Sequence, residues 1–382
     1  MPPKPIAHFV YFEAGGGHRS AAMALEAVIA SNGSGWDVRL VNLQEVLDSL
    51  DIFRKITGIQ MEDVYNLILA KGWTLGSPAL VPLMHAIIRL YHPAQVDLLA
   101  KFWRQNRPAM VVSLIPNFNR ALFEGLRKAG LDVPLITILT DFADYPPHFW
   151  MENQPQYFIC GTQKAVDQAL NMGHPRKRVF QVSGMILRPE FYAIRECDRP
   201  DERRKLGLDP DLPTGLVLFG GEGSNVMFSL AQRLGNSSAN LQLILICGRN
   251  ERLRERLRTL KTRNTLVVEG FTKEIPHFMR LSDFFIGKPG PGSISESLKM
   301  NLPVIVERNA WTLPQERYNA EWIKEQGVGV VLDNFRVIEA TVQDLLQDDR
   351  LDAMRLNIAC VDNRAVFEIP PILEKILAEH PL

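Results

Sequence analysis

The sequence predicts an α/β protein built from two doubly wound parallel sheets. Short apolar runs rich in Val, Ile, Leu and Phe alternate with helical stretches along the chain, and about six such runs occur in each half. Strands of this kind are typical of parallel sheets that are covered by helices on both faces. A chain of 382 residues also favours two domains over one.

The predicted strands divide evenly between the two halves. In the first half they are Ala7–Phe12, Val38–Val41, Met110–Leu114, Leu135–Leu139, Tyr157–Cys160 and Val179–Val182. In the second half they are Leu216–Phe219, Leu241–Cys247, Leu266–Val268, Phe284–Ile286, Val304–Val306 and Val328–Val331. Two such domains facing each other would form a cleft at the carboxyl ends of both sheets.

The predicted domain boundaries follow changes in composition. Residues 1–190 form the N-terminal domain, with a helical insert at about 52–107. Residues 191–212 are the linker, because Arg195–Pro213 is highly charged and contains prolines. Residues 213–365 form the C-terminal domain, and 366–382 form a C-terminal helix that can pack back on the N-terminal domain.

Composition excludes several classes of protein. The formal net charge is zero, with 43 basic and 43 acidic residues, so we expect no nucleic-acid partner. The four cysteines lack metal-site spacing, and Cys160 and Cys247 end apolar runs as buried free thiols do, which suits a reducing cytoplasm. We predict no signal peptide and no membrane span, because no apolar stretch reaches about 18 residues.

The stretch Gly287–Glu296 carries the strongest functional signal. A hydrophobic strand enters a glycine/proline turn, and we predict a helix that opens at Ser293 and carries Glu296 one turn further on. Glycines permit close backbone approach, and a helix N-terminus favours phosphate. A carboxylate such as that of Glu296 can accept hydrogen bonds from a ribose diol. This pattern predicts a site for a nucleoside diphosphate.

Two further glycine loops lie between a predicted strand and a predicted helix. Glu13–Ser20 contains Gly16, Gly17 and His18, and Phe219–Ser224 contains Gly220, Gly221 and Gly223. Such loops can cradle an anion. The alternative for the first loop is a purely structural tight turn, although a histidine placed directly after three glycines favours function.

Three polar residues near these loops have open interpretations. Arg249 can contact a phosphate or a base, or it can be a surface residue that caps a helix. Gln315 and Glu316 offer donor and acceptor groups suited to sugar hydroxyls, but they can equally form the first turn of a helix after Pro314.

The insert at Ile52–Arg107 also has two interpretations. It mixes aliphatic residues, aromatic residues such as Trp73 and Trp103, and basic residues such as Arg104. That mixture can form a face that lies on a membrane surface. Ordinary amphipathic helices packed on the sheet would show the same periodicity.

Taken together, these motifs resemble the monogalactosyldiacylglycerol synthase-like glycosyltransferases. These are GT-B enzymes related to the N-acetylglucosaminyltransferase that completes the peptidoglycan lipid precursor. The likeness covers nearly the whole chain. It rests on the order and spacing of Gly15–Ala21, Thr140–Phe142 with His148 and Trp150, Gly220–Gly223, Cys247–Asn250, Gly270–Thr272, Lys288–Ser293 with Glu296, and Pro314–Glu316 with Asn319.

The resemblance implies an inverting transfer of a hexose from a UDP-sugar to a membrane lipid hydroxyl such as that of diacylglycerol. It implies no bound metal or other cofactor, and a cytoplasmic protein attached peripherally to the inner face of the membrane. Its partners would be the UDP-sugar, the lipid acceptor and the bilayer surface.

Site residues carry over from the resemblance by position. Phe271 and Thr272 would flank the uracil, and Glu296 would hold the ribose. The backbones of Gly292 and Ser293 and the Gly220–Gly223 loop would hold the diphosphate. Gln315 and Glu316 would grip the sugar, and Arg249 would lie on the donor side. Gly16, Gly17 and His148 would lie on the acceptor side.

Two residues are candidates for the catalytic base. His18 is suited to the role because a neutral imidazole can accept a proton near neutral pH. Asp141 could be the base itself or could orient His18. The structural alternatives are a His18 that only contacts phosphate or glycine backbone, and an Asp141 that caps a helix beginning at Phe142.

The chain departs from the family pattern at three places. Ser113–Asn117 lacks the histidine of the family's histidine–proline pair, and Pro289 and Pro314 stand where the family commonly has small residues. Two other functions therefore stay open. One is a soluble UDP-sugar epimerase or hydrolase, and the other is a nucleotide- or lipid-binding protein that has lost turnover.

Overall fold

A computed structural model of the protein describes residues 4–13, 16–47, 92–193, 198–310 and 312–380. The chain divides into two compact units. Unit 1 contains the described residues up to Pro189 together with those from Asn363 onward, and unit 2 contains those from Glu190 to Asp362.

The strands match the twelve predicted apolar runs to within about two residues. They are β1 Ile6–Tyr11, β2 Asp37–Asn42, β3 Met110–Ser113, β4 Leu135–Ile138, β5 Tyr157–Cys160, β6 Val179–Gln181, β7 Thr214–Leu218, β8 Gln242–Ile246, β9 Leu266–Glu269, β10 Phe284–Gly287, β11 Val304–Glu307 and β12 Gly329–Leu332.

Helices alternate with these strands along most of the described chain. They are α1 Gly17–Ser31, α2 Leu43–Leu47, α3 92–105, α4 Asn119–Lys128, α5 Gln163–Asn171, α6 Arg199–Lys205, α7 Val226–Gly235, α8 Glu251–Arg258, α9 Ile275–Arg280, α10 Pro291–Lys299, α11 Arg317–Gln326, α12 Ile338–Leu345, α13 Arg350–Ala359 and α14 Ala365–Ala378.

Each unit contains one six-stranded sheet in which every pair of neighbours is parallel. The order in unit 1 is β2-β1-β3-β4-β5-β6, and in unit 2 it is β12-β11-β10-β7-β8-β9. The direction of winding therefore reverses between β1 and β3 in unit 1 and between β7 and β10 in unit 2. In open α/β sheets, ligands bind beside the carboxyl ends of the strands at such a reversal. The prediction of two doubly wound sheets is confirmed.

The core of unit 1 includes part of the segment predicted as an insert. Residues 52–91 of that segment lie outside the described residues. In α3, Leu99 and Trp103 are each about 1% exposed and pack with Val10, Val111 and Leu122 in the core. The membrane-face interpretation is therefore wrong for Trp103, because a side chain enclosed by the sheet and a neighbouring helix cannot reach a bilayer.

The C-terminal helix α14 belongs to unit 1, where it packs against α1. Ser34 Oγ donates a hydrogen bond to Glu374 Oε1 at 3.0 Å. The buried side chain of Asn363, just before the helix, donates to the Met185 carbonyl at 2.9 Å. The Asn363 contact fixes the position at which the last helix begins, and the Glu374 contact fixes which side of that helix faces Ser34.

The charged stretch predicted as a linker is largely part of unit 2. Residues 190–212 fall within that unit, and α6 forms in the middle of them. Arg199 and Arg203 of α6 bind the two carboxylate oxygens of Asp283, at 2.6 and 2.7 Å. The charged residues that indicated a linker in the sequence thus include the two arginines that attach this segment to unit 2.

Asp283 is the centre of this anchor. Its Oδ2 also accepts the backbone N–H of Thr214, the first residue of β7, at 2.8 Å. Burial by itself would raise the pKa of Asp283, but the hydrogen bond and charge of Arg199, the Thr214 N–H and Arg203 together lower it below its usual value. The carboxylate is therefore held in its charged form.

We predict that Asp283→Asn destabilises unit 2 by about 3–5 kcal/mol, because it leaves the buried Arg203 guanidinium without a counter-ion. Thermal and urea unfolding followed by circular dichroism measure the effect. Asp352→Asn, which removes an exposed partner of Arg355, is the control and should cost at most about 1 kcal/mol.

The effect of Asp283→Asn should depend on pH with a defined sign. A carboxylate whose pKa is depressed in the folded state stabilises the folded protein at pH values above its unfolded pKa of about 3.9. This contribution is lost as the pH falls through the pKa of the folded state. The difference in the free energy of unfolding between wild type and variant should therefore be largest at neutral pH and should shrink below about pH 4. Equal stability of the two proteins at pH 7 would contradict the anchor role.

Candidate active site

The glycine loops after β7 and β8 lie next to each other in unit 2. Gly220, Gly223 and Gly248 all have positive φ, at 80°, 60° and 60°. A Cβ on Gly248 would lie 2.1 Å from the Gly221 carbonyl oxygen, and the Arg249 N–H donates to that oxygen at 2.8 Å. Only glycine allows this approach. The two loops are therefore fixed against each other beside the sheet's reversal point.

The loop after β10 lies on the other side of the reversal. Helix α10 begins at Pro291, not at Ser293 as predicted, because proline is favoured at the first helical position, where its missing N–H costs nothing. Gly292 and Ser293 are then the second and third residues of the helix, where backbone N–H groups have no intrahelical acceptor. A Cβ on Gly292 would meet no atom within 4 Å, so the space beside this residue is open.

Glu296 lies four residues after Gly292 and therefore on the same face of α10. Its side chain is half-buried and makes contacts within the protein. The structure thus brings a carboxylate to the face of the helix whose N-terminus presents free N–H groups. This is the spacing that the sequence predicted for a ribose and a diphosphate.

The turn before α10 is fixed by two side chains from the region of α11. The buried Asn319 donates from Nδ2 to the Pro289 carbonyl at 2.9 Å. Lys288 Nζ lies 3.0 Å from Glu316 Oε1. Glu316 is 7% exposed and ends the 3₁₀ turn Pro314–Glu316, which also contains the half-buried Gln315. The predicted sugar-binding carboxylate is therefore paired with a lysine of the neighbouring loop.

Phe271 presents an exposed ring at the edge of unit 2. The ring is 56% exposed, and the guanidinium carbon of Arg249 lies 4.9 Å from its centroid. Arg249 also pairs with Glu222 at 2.9 Å. Thr272 accepts the Glu274 N–H at 3.0 Å. The stack of Arg249 on Phe271 makes an aromatic platform beside the glycine loops, which a base can use.

The capping interpretation of Arg249 is wrong. Helix α8 begins at Glu251, and Asn250 is the residue whose side chain accepts the Leu253 N–H at 3.0 Å. Asparagine has a short acceptor that reaches the first turn of a helix, which a guanidinium does not.

His18 is the second residue of α1, at the reversal point of the sheet in unit 1. Its Nδ1 lies 3.2 Å from Thr140 Oγ1, at the end of β4. Desolvation lowers the pKa of His18 from 6.5 to about 4, and a hydrogen bond to the Leu114 backbone only partly offsets this. The imidazole is therefore neutral at physiological pH, which is the form that can accept a proton.

Asp141 binds Trp150 in this structure. Its Oδ2 accepts the indole N–H of Trp150 at 2.9 Å, and both side chains are buried. The Trp150 ring centroid lies 6.0 Å from that of His18. Residues 140–143 form bends, so the interpretation of Asp141 as a helix cap before Phe142 is wrong. Thr140, which the sequence analysis gives no role beyond the Thr140–Phe142 motif, supplies a hydroxyl that contacts His18.

The loop that carries His148 is organised by Asp144, a second residue that the sequence argument missed. Asp144 is 2% exposed and accepts the backbone N–H groups of His148 and Trp150, at 3.0 and 2.6 Å. Burial raises the pKa of Asp144 even though these bonds oppose it. His148 itself is exposed and has a φ of 65°. The sequence feature that could have identified Asp144 is a carboxylate placed in a proline-rich loop.

The loop predicted to lie on the acceptor side contains Gly16 and Gly17 at the start of α1. Gly16 has a φ of 76°, and a Cβ on either glycine would meet no atom within 4 Å. In the segment where the family's histidine is missing, Ile115 is fully buried and packs in the core of unit 1. The side chain at that place supports the sheet and has no polar function.

Similarity to known proteins agrees with this geometry. The glycosyltransferase family 28 C-terminal domain matches residues 216–365, which lie almost wholly in unit 2. The chloroplastic monogalactosyldiacylglycerol synthase of Spinacia oleracea is 28% identical over 351 residues, covering 86% of this chain and 64% of that protein. Monogalactosyldiacylglycerol synthase 1 of Arabidopsis thaliana is 26% identical over 390 residues, covering 94% of this chain and 68% of that protein.

Solved structures show the same fold. MurG of Acinetobacter baumannii matches with a TM-score of 0.58 and 12% identity, over 98% of this chain and 100% of that one. MnaA of S. aureus, solved with UDP, matches with a TM-score of 0.61 and 15% identity, over 98% of this chain and 97% of that one.

The chain spans 60% to 68% of the length of its monogalactosyldiacylglycerol synthase relatives. Those relatives resemble it over most of its own length, and its two sheets have the architecture of the solved GT-B proteins. The chain therefore has the GT-B fold, matches the glycosyltransferase family 28 C-terminal domain over residues 216–365, and resembles the monogalactosyldiacylglycerol synthases over most of its length.

Proposed function

We propose that this protein transfers a hexose from a UDP-sugar to the hydroxyl of a membrane lipid, with diacylglycerol as the acceptor, and inverts the anomeric carbon. The acceptor oxygen forms a bond to that carbon while the bond to the diphosphate oxygen breaks. The hydroxyl proton passes to a base, and UDP leaves with the electron pair of the broken bond.

The observation that carries the donor half of the proposal is the arrangement at the reversal point of unit 2. Glycine loops and the N-terminus of α10 flank that point, and Glu296 follows four residues after Gly292 on the same helix. Backbone N–H groups stabilise a diphosphate, and they can also stabilise the charge that develops on it as the sugar departs. We propose that this occurs without a metal ion.

We propose His18 as the base. Its low pKa keeps the ring neutral, and the contact of Nδ1 with Thr140 Oγ1 can fix the orientation and the tautomer of the imidazole. Asp141 then acts through Trp150, whose ring lies near the imidazole, and not as the base itself. Thr140 is in this view a positioning residue.

The acceptor half of the proposal is supported by the names of the relatives, which specify monogalactosyldiacylglycerol as their product. A lipid substrate requires contact with a bilayer surface. No helix among the residues that the structure describes is long and apolar enough to cross a membrane. We propose peripheral attachment to the cytoplasmic face, where the UDP-sugar is available.

Incubation with bilayers that contain diacylglycerol should move label from one UDP-hexose into the lipid phase, and transfer should persist in EDTA. UDP-galactose, UDP-glucose and UDP-N-acetylglucosamine are tested separately, with bilayers lacking diacylglycerol as the control. Release of UDP without lipid label would favour a soluble UDP-sugar hydrolase. An altered sugar nucleotide would favour an epimerase, and binding without turnover would favour a binding protein.

His18→Ala should lower kcat by roughly 10²- to 10⁴-fold, the usual contribution of a positioned base, and leave the Kd of UDP unchanged. Thr140→Val should lower kcat less, and Thr140→Ser should restore it. His277→Ala, on α9, is the matched control.

With wild-type enzyme, kcat/KM should stay constant down to about pH 5 and fall near pH 4, where His18 becomes protonated. Normal turnover of His18→Ala would exclude the base role.

Glu296→Ala should weaken UDP binding by roughly 10²-fold or more, because each of two hydrogen bonds to a charged group is worth about 1.5–3 kcal/mol. Calorimetric titration with UDP and with 2′,3′-dideoxy-UDP separates the ribose contact from other effects. The substitution should leave the affinity for the dideoxy compound unchanged, because no diol is present to lose. Glu321→Ala, on α11, is the control. An equal loss of affinity for both ligands would remove the ribose assignment.

A further inference from the structure

Lys288 lies beside both phosphate-binding elements of unit 2. It directly follows β10, at the reversal of the sheet, and its Cε lies 4.0 Å from the position that a Cβ on Gly220 would occupy. The same atom lies 3.4 Å from the corresponding position on Gly290, the residue before α10. The Lys288 side chain thus brings a positive charge next to both the glycine loop and the helix N-terminus that we propose for the diphosphate.

That positive charge is partly neutralised by Glu316. Their closest atoms are 3.0 Å apart, and the side chains of Lys288 and Glu316 are 35% and 10% exposed. Carboxylates are rarely so buried unless they are paired. Glu316 lies beside Gln315 in the 3₁₀ turn proposed to grip the sugar. One ion pair therefore connects the two halves of the donor site.

We propose that the Lys288–Glu316 ion pair is an internal substitute for the donor, and that the diphosphate displaces Glu316 from Lys288 when it binds. A diphosphate carries more negative charge than one carboxylate, so it competes effectively for the ammonium group. Glu316 is released and its oxygens become available to accept hydrogen bonds from sugar hydroxyls. This inference rests on the proposed function of unit 2 and adds an order of events to it.

The exchange links donor specificity to the diphosphate. A free sugar brings no charge to compete for Lys288, so Glu316 stays paired and its oxygens are not fully available. A UDP-sugar brings both the competing anion and the hydroxyls. Binding energy from the phosphates is thereby used to assemble the sugar subsite, as in other sites that a substrate completes.

Four proteins test the exchange by calorimetric titration with UDP: wild type, Lys288→Met, Glu316→Gln and the double variant. Lys288→Met should weaken UDP binding by roughly tenfold or more, because a charge-assisted contact is lost. Glu316→Gln should tighten UDP binding by about threefold, because the internal competitor is removed while the side-chain volume is kept. In the double variant, removal of Glu316 should give no gain, since Lys288 is absent.

Turnover of the UDP-hexose provides a second readout. Glu316→Gln should lower kcat with the sugar donor although it binds UDP more tightly, and Lys288→Arg should bind UDP nearly as wild type does. Lys299→Met, at the end of α10, is the matched control and should leave UDP affinity unchanged. Far-ultraviolet circular dichroism of each variant checks folding. If Lys288→Met does not fold, Lys288→Arg and Glu316→Gln still test the exchange.

The outcomes separate this inference from the proposed function. If wild type binds UDP but Lys288→Met binds it equally well, the exchange is overturned and the UDP site stands. If Glu316→Gln weakens UDP binding, Glu316 is a support for the ligand and not its competitor, which also overturns the exchange. If wild type does not bind UDP, the proposed function itself fails.

Discussion

The reversal of strand order within each parallel sheet is the constraint on which the candidate site residues of each unit depend. In a parallel sheet all carboxyl ends lie at one edge, and the connections on the two sides of a reversal run away from each other. Space therefore opens between the loops after β7 and β10, and between those after β1 and β3. The glycine loops, the start of α10 and His18 all lie at these two places.

The electrostatics of the two units differ in a way that suits their proposed roles. In unit 1 desolvation keeps His18 neutral, and the Asp141 carboxylate accepts a hydrogen bond from the Trp150 indole. In unit 2 the surroundings hold charge in pairs, since Lys288 faces Glu316 and Arg249 faces Glu222. A neutral base and an exchangeable cation are the two electrostatic elements that an inverting transfer without a metal requires.

Pairing of charge also explains the part of the fold that was hardest to predict. Arg199 and Arg203 are indistinguishable in sequence from the charges of a solvated linker. Their structural role depends on the ion pairs with Asp283, which lies about eighty residues further along the chain. The C-terminal segment of unit 1 shows the same dependence, because Asn363 binds the Met185 carbonyl and Glu374 of α14 binds Ser34. Local composition carries no information about such distant partners.

The sequence by itself determined the twelve strands, the three glycine loops and the position of Glu296, because strand patterning and the φ requirements of glycine are local properties. It also placed His18 directly after its glycines. Only the tertiary structure decided that Thr140 contacts His18, that Asp141 binds Trp150, that Trp103 is core, and that Lys288 pairs with Glu316. Each of these is a contact between segments far apart in sequence, where several partners of suitable chemistry exist and the packing of the sheet selects one.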